Sequence, residues 1–191
     1  MSDFINYHLN VLRSKKFISP DIELRTILKY SKITKKDIFL SNFNINLINL
    51  KKFSNIFKRR ILNEPISKIV NKKEFYSLDF FVDKNVLDPR PESEFIIETA
   101  KKIFKSKKLR LKICDLGTGS GCLAITLAKI YNNSSVVASD ISQKALKIAK
   151  INSKKHKVDK SIKFINCNWY NEKETFDLIV CNPPYLSSKD Y

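Results

Sequence analysis

Apolar residues in the first seventy positions recur at the three- and four-residue spacing of amphipathic helices, most clearly at Leu50, Phe53 and Phe57. Ser19-Pro20-Asp21 has the form of a helix start with proline in the first turn. Residues 34–37 have the form of a capping-box start. The pattern predicts a small helical bundle over residues 1–73.

The pattern changes at Glu74, where aromatic and β-branched residues cluster and are interrupted by Asp79 and by residues 83–85. This predicts a β-hairpin over residues 74–87 that joins two modules.

Beyond the hairpin, short apolar runs alternate with helical segments, which is typical of a parallel sheet built from βαβ units. The candidate strands are residues 111–116, 135–139, 162–166 and 176–181, and the candidate helices are residues 92–104, 121–131 and 142–154. The predicted fold is therefore α/β, with a Rossmann-like domain over residues 88–191. Its parallel sheet is expected to be incomplete, because the chain stops soon after the fourth strand.

Composition narrows the class of protein. Of the 191 residues, 43% are hydrophobic and 11% aromatic, which excludes intrinsic disorder as the main state. No run of about 18 apolar residues occurs, and the N-terminus lacks the basic-then-apolar pattern of a signal peptide. We therefore expect a soluble, cytoplasmic protein without a membrane partner.

The chain is strongly basic, with 36 Lys and Arg against 19 Asp and Glu and a net charge of +17. Two interpretations stay open: a surface rich in lysine through general composition bias, or contact with a polyanion such as nucleic acid or the ribosome. The four cysteines lack metal-type spacing, so we expect four buried thiols in a reducing compartment and no metal site.

All three glycines of the chain lie in Asp115-Leu116-Gly117-Thr118-Gly119-Ser120-Gly121, between a candidate strand and a candidate helix. Glycine at such a turn supplies positive φ or close approach to a ligand, so the segment predicts a cofactor loop rather than a mere tight turn. Its GxGxG spacing differs from the dinucleotide fingerprint GxGxxG, which disfavours a nicotinamide cofactor.

Two further residues, each near the end of one of the next two strands, extend the hypothesis of a cofactor site. Asp140 ends the second strand, where a carboxylate can accept the hydroxyls of an adenosine ribose, although it could instead help cap the following helix. Trp169, which follows the third strand, could wall an adenine pocket or pack in the core.

Asn182-Pro183-Pro184-Tyr185 follows the fourth strand. Proline fixes φ and has no N–H, so this turn presents carbonyl oxygens in a rigid array, and the residue before Pro183 is held extended. Such a site could hold an amide or amino NH2 group between the Asn182 side-chain oxygen and the Pro183 carbonyl, with Tyr185 packed on the planar group. The alternative is a proline-rich loop that only ends the strand.

These motifs together resemble the class I S-adenosylmethionine-dependent methyltransferases that act on amide or exocyclic nitrogens. More narrowly, the segments 59–66, 74–78 and Asp88-Pro89-Arg90-Pro91-Glu92-Ser93-Glu94 are similar to the release factor glutamine methyltransferases of the HemK/PrmC family. The resemblance implies methylation of the side-chain amide nitrogen N5 of the glutamine in the Gly-Gly-Gln loop of peptide chain release factors one and two, either free or on the ribosome. The helical bundle would then help to recognise the factor, although its periodicity fits equally well a bundle that only stabilises the catalytic module.

The resemblance also implies the site residues. S-adenosyl-L-methionine would be held by residues 117–121 with Asp115, by Asp140, and by Asn168, Trp169 and Asn182. The substrate glutamine would be held by Asn182, Pro183, Pro184 and Tyr185, of which Asn182, Pro183 and Tyr185 are the candidate catalytic residues. Asn168 stands where the family usually has aspartate, and the family's later strands and helices are missing after Tyr191.

Two other functions remain open on sequence grounds. One is methylation of an amino group of nucleic acid, of the N6-adenine type, which the basic charge and the Asn-Pro-Pro-Tyr turn both favour. The other is a truncated, inactive remnant, which the abrupt end at Tyr191 suggests.

Overall fold

The computed structural model describes residues 3–34, 40–41, 43–169 and 174–183, which form two compact units, residues 1–70 and residues 71–191. None of the helices in these ranges is long and apolar enough to cross a lipid bilayer. The boundaries that the sequence predicts at residues 73 and 87 stay a prediction.

The first unit is helical, as the apolar spacing predicts. Its helices are α1 (Asp3–Ser14), α2 (Pro20–Ser31), α3 (Leu50–Arg60) and α4 (Ile66–Val70). Helix α2 begins at Pro20, although the side chain of Ser19 makes no capping hydrogen bond, and the predicted start at residues 34–37 falls mostly outside the described residues. Apolar side chains from all four helices form the core of this unit.

The second unit opens with the predicted hairpin, formed by β1 (Lys73–Phe75) and β2 (Leu78–Phe80). The strands turn at Tyr76 and Ser77, both at positive φ, rather than at the polar interruptions seen in the sequence. Positive φ at both central residues is the twist that a two-residue hairpin requires.

A four-stranded parallel sheet follows, in the order β5-β4-β3-β6. Its strands are β3 (Lys112–Leu116), β4 (Ser135–Asp140), β5 (Ile162–Asn166) and β6 (Leu178–Cys181), and its helices are α5 (Glu94–Ile103), α6 (Cys122–Ile130) and α7 (Gln143–Lys155). The predicted strands and helices are present, and each of their ends lies within two residues of the predicted position. From β3 the chain leaves to β4 on one side and returns as β6 on the other, which creates a ligand-binding edge at the carboxyl ends of the strands.

Helix α6 and the inward faces of β3 and β4 form the centre of the core, where Ile113, Ile125 and Tyr131 are fully buried. All four cysteines are free, but only Cys114 is buried. The prediction of four buried thiols is therefore wrong for Cys122, Cys167 and Cys181, which lie at the ends of elements and stay partly exposed.

Candidate active site

A cleft of about 380 Å³ opens at the edge of the sheet where all four parallel strands end. Each strand contributes to it through the residues that directly follow or end the strand. The residues named from the sequence that line it are Gly117, Gly119, Asp140, Asn168, Trp169, Asn182 and Pro183. The parallel topology therefore brings together motifs that are far apart in the chain.

The other residues named from the sequence are placed differently. Four of them are buried and are not among the residues that line the cleft: Asp115 in β3, and Thr118, Ser120 and Gly121 in the glycine-rich loop. Pro184 and Tyr185 lie outside the described residues.

All three glycines of the loop have positive φ, and Gly121 and Gly117 differ in how much space surrounds them. Gly121 has φ of 83°, and a Cβ there would lie 2.9 Å from Ile125 Cδ1 and 3.1 Å from Ala149 Cβ. Gly117 has φ of 70°, but a Cβ there would meet no heavy atom within 4 Å. Gly121 thus allows close packing of α6 against α7, whereas Gly117 leaves open space at the cleft.

Asp115 supports the loop from inside. Its Oδ2 accepts hydrogen bonds from Thr118 Oγ1 at 2.6 Å and from the Ala124 N–H at 3.2 Å. Burial raises the pKa of this carboxyl group to about 6, because a charged carboxylate loses hydration in the interior. Asp115 thereby ties the start of the loop to the first turn of α6.

Asp140 joins the loop to the next strand. Its Oδ2 accepts from the Gly119 N–H at 2.8 Å and its Oδ1 from the Ser142 N–H at 2.8 Å. Ser142 itself is the N-cap of α7, with Oγ accepting from the Ala145 N–H. Each carboxylate oxygen has a second lone pair, so Asp140 can still accept a hydrogen bond from a ligand in the cleft.

Asn152, which the sequence analysis missed, fixes the loop from behind. It is fully buried in α7. Its Oδ1 accepts from the Phe81 N–H at 2.7 Å, and its Nδ2 donates to the Phe81 and Ser120 carbonyls at 2.9 and 2.8 Å. The pattern that could have revealed it is a polar residue on the helix face of Ile148 and Ala149, where apolar residues are expected.

The outer rim of the cleft is apolar. Trp169 is 57% exposed and lines the cleft, so packing in the core, the second interpretation of this residue, is wrong. Ile141, at 69% exposure, and Leu87 also line the cleft, and neither was expected from the sequence. Exposed flat and branched side chains around a carboxylate are suited to a planar ring attached to a hydroxylated sugar.

Asn182 and Pro183, which directly follow β6, also line the cleft. The Asn182 Nδ2 donates a hydrogen bond to Ser93 Oγ at 2.7 Å. Ser93 belongs to the 88–94 segment quoted above, but no sequence pattern places it against Asn182.

The cleft offers hydrogen-bond acceptors in fixed positions and few groups that could exchange a proton. Among its described lining residues only Asp140 and Cys167 have titratable side chains. Within the part of the chain that the structure describes, no group of three His, Cys, Asp or Glu side chains is placed to hold a metal ion. The arrangement can bind and orient a ligand that carries hydroxyl and N–H groups.

Comparisons with known proteins agree with this geometry. Residues 86–191 match the family model described as "Methyltransferase small domain". The chain is 38% identical over 194 residues to a bifunctional methyltransferase of Rickettsia typhi, with 90% of this chain and 37% of that protein covered. It is 37% identical over 195 residues to a release factor glutamine methyltransferase of Coxiella burnetii, with 97% of this chain and 66% of that protein covered. The chain thus spans little more than a third of the first relative and just under two thirds of the second.

The solved structure of a human methyltransferase 10 domain containing protein matches this chain with a TM-score of 0.50 and 20% sequence identity. The match covers 60% of this chain and 58% of that one, and it shows a similar fold only. The parallel sheet and this likeness confirm the predicted Rossmann-like fold. The family match covers more than half of the chain and confirms the predicted cofactor. The chain therefore belongs to the methyltransferase small domain family of S-adenosyl-L-methionine-dependent enzymes, and its motifs and relatives are those of a HemK/PrmC-like methyltransferase.

Proposed function

We propose that this chain transfers a methyl group from S-adenosyl-L-methionine to the side-chain amide nitrogen N5 of the glutamine in the Gly-Gly-Gln loop of peptide chain release factors one and two. The relative in Coxiella burnetii carries the name release factor glutamine methyltransferase. The observation that carries the proposal is that Asn182 and Pro183 line the same cleft as Gly117 and Asp140. An amide held by the first pair would face a cofactor held by the second.

The described residues fit the cofactor. Asp140 would accept the ribose hydroxyls, while Asn168 and Trp169 would border the adenine and the backbone at Gly117 would approach the methionine portion. The open space beside Gly117 and the exposed apolar surfaces of Ile141 and Trp169 support this assignment. Asp115, Thr118, Ser120 and Gly121 would act indirectly, by holding the loop in shape.

The reaction needs orientation more than proton removal. When bound, S-adenosyl-L-methionine supplies a methyl group whose carbon–sulfur bond breaks as the carbon–nitrogen bond forms, and the nitrogen then loses one proton. A carboxamide nitrogen is a weak nucleophile because its lone pair is delocalised. The Asn182 Oδ1 and the Pro183 carbonyl would accept its two N–H groups, aim the nitrogen and stabilise the positive charge that develops on it. Pro184 and Tyr185 would complete this pocket, as the motif implies.

The wider partners are part of the same proposal. Residues 1–73 would help to recognise the release factor, and a substrate of translation termination places the reaction in the cytoplasm. Contact with the ribosome or with nucleic acid stays a prediction that rests on the net charge of +17.

The proposal is tested by offering methyl-labelled cofactor with a purified release factor and, separately, with nucleic acid. We expect label in the factor only, and none when alanine replaces the glutamine of the Gly-Gly-Gln loop.

Asn182→Ala should abolish the transfer while leaving cofactor affinity largely intact. The matched control is Asn132→Ala, which removes an exposed amide outside the set of described cleft residues. Label in nucleic acid alone would favour the amino-methyltransferase function, and turnover by Asn182→Ala would refute the role of that residue.

The cofactor assignment has its own test. Asp140→Asn should weaken S-adenosyl-L-methionine binding about tenfold or more, because it replaces a charge-assisted hydrogen bond with a neutral one. Asp177→Asn is the control, since Asp177 also accepts a backbone N–H, from Lys112, but at the amino end of β3. Equal affinities of the two variants in calorimetry would contradict the assignment.

A further inference from the structure

Ser93 is the described hydrogen-bond partner of the Asn182 side chain, from 89 residues away in the sequence. It ends the short 3-10 turn Pro91–Ser93, directly before α5, and is 4% exposed. Its own N–H donates to the Arg90 carbonyl at 3.0 Å, which helps to fix the position of its side chain. Asn182 lines the cleft, whereas Ser93 lies outside the set of described residues that line it.

A side-chain amide is planar and has a donor end and an acceptor end, and rotating it by half a turn exchanges the two. The Asn182 Nδ2 donates to Ser93 Oγ at 2.7 Å, a short and well-formed hydrogen bond. With Nδ2 on Ser93, the other end of the amide, which carries Oδ1, is the end left to accept a hydrogen bond from a ligand.

We infer that Ser93 is a positioning residue that holds the Asn182 side-chain amide in place at the cleft, so that its Oδ1 is in position to accept from the N–H groups of the substrate. This inference rests on the proposed function and deepens it. A planar amide held at one end by a buried hydroxyl has fewer orientations to lose when the substrate binds, and this is how a fixed neighbour helps to align a reacting group.

The first test observes the hydrogen bond itself. In protein labelled with ¹⁵N-asparagine, the side-chain amide resonances of Asn182 can be assigned by their loss in Asn182→Ala. In the wild-type protein its NH2 protons should exchange with water more slowly than those of the exposed Asn132. In Ser93→Ala they should move toward the shift and exchange rate of a free amide, and in Ser93→Thr, which keeps the hydroxyl, they should stay near the wild type.

The matched control is Ser134→Ala. Ser134 is also buried, and its Oγ also accepts a short hydrogen bond, from the Leu111 N–H at 2.8 Å, but it lies at the opposite edge of the sheet. A merely structural loss should therefore appear in both variants. The change in the Asn182 resonances should appear only in Ser93→Ala.

The second test is kinetic. Ser93→Ala should lower kcat for the release factor on the order of tenfold to a hundredfold, the range expected when a reacting group is misaligned, with little change in cofactor affinity. Ser93→Thr should restore most of kcat, and Ser134→Ala should leave it near the wild-type value.

The outcomes separate the two proposals. If the Asn182 protons exchange freely in the wild-type protein, or if Ser93→Ala changes neither the resonances nor kcat, the inference about Ser93 is overturned even when Asn182→Ala is inactive. If Asn182→Ala stays active, the proposed function of Asn182 fails, whereas the NMR result still decides whether Ser93 orients the amide.

Discussion

Replacing Asn152 by alanine should cost the second unit much of its stability, although the residue contacts no ligand. The variant loses the three hydrogen bonds to the Phe81 N–H, the Phe81 carbonyl and the Ser120 carbonyl. Each contributes about 1 kcal/mol net, and buried groups left without a partner cost more. The expected loss is therefore about 3 to 4 kcal/mol, which corresponds to a melting temperature roughly 10 °C lower for a chain of this length.

The assay is urea denaturation followed by far-UV circular dichroism, with Asn166→Ala as the control. Asn166 also donates two hydrogen bonds, to the Asp140 and Ile141 carbonyls, but it is exposed, so water replaces them. We expect the control to lose less than about 1 kcal/mol. If both variants lose the same small amount, the view that Asn152 holds the glycine-rich loop in place is refuted. Cofactor affinity should fall in Asn152→Ala as well, because the Ser120 carbonyl lies within that loop.

Three further predictions concern the same loop. Gly121→Ala should destabilise the protein by roughly 2 to 4 kcal/mol through positive φ and contact with Ile125 and Ala149, as measured by thermal melting. Gly117→Ala should cost only about 1 to 2 kcal/mol of stability, but it should weaken cofactor binding in calorimetry because its Cβ would enter the cleft. A loss of stability equal to that of Gly121→Ala would contradict the difference in surroundings between the two glycines. Burial raises the pKa of Asp115 to about 6 from an ordinary 3.8, so the native state binds the proton more tightly than the unfolded state does. As pH rises from 4 to 7, the stability of the wild-type protein should therefore fall relative to that of Asp115→Asn. The difference between their urea unfolding free energies should change by on the order of 2 to 3 kcal/mol, and a difference independent of pH would show that Asp115 ionises normally.

The sequence by itself determined the elements and the local chemistry. Strands of four to six residues and the helices between them follow from periodicity, which depends only on neighbouring residues. The three glycines identified the loop, because only glycine adopts positive φ there without strain. The hairpin was also predicted, but its turn was not, because Tyr76 and Ser77 are residues that rarely adopt positive φ.

The tertiary structure decided which of these pieces meet. Periodicity carries no information on strand order, and it is the order β5-β4-β3-β6 that places Asn182 on the same cleft as Gly117 and Asp140. The contact of Ser93 with Asn182 and that of Asn152 with Ser120 join distant segments through single hydrogen bonds. Such contacts depend on how helices pack on the sheet, and packing is set by the whole chain, so residues that only orient or support the site became visible once the fold was known.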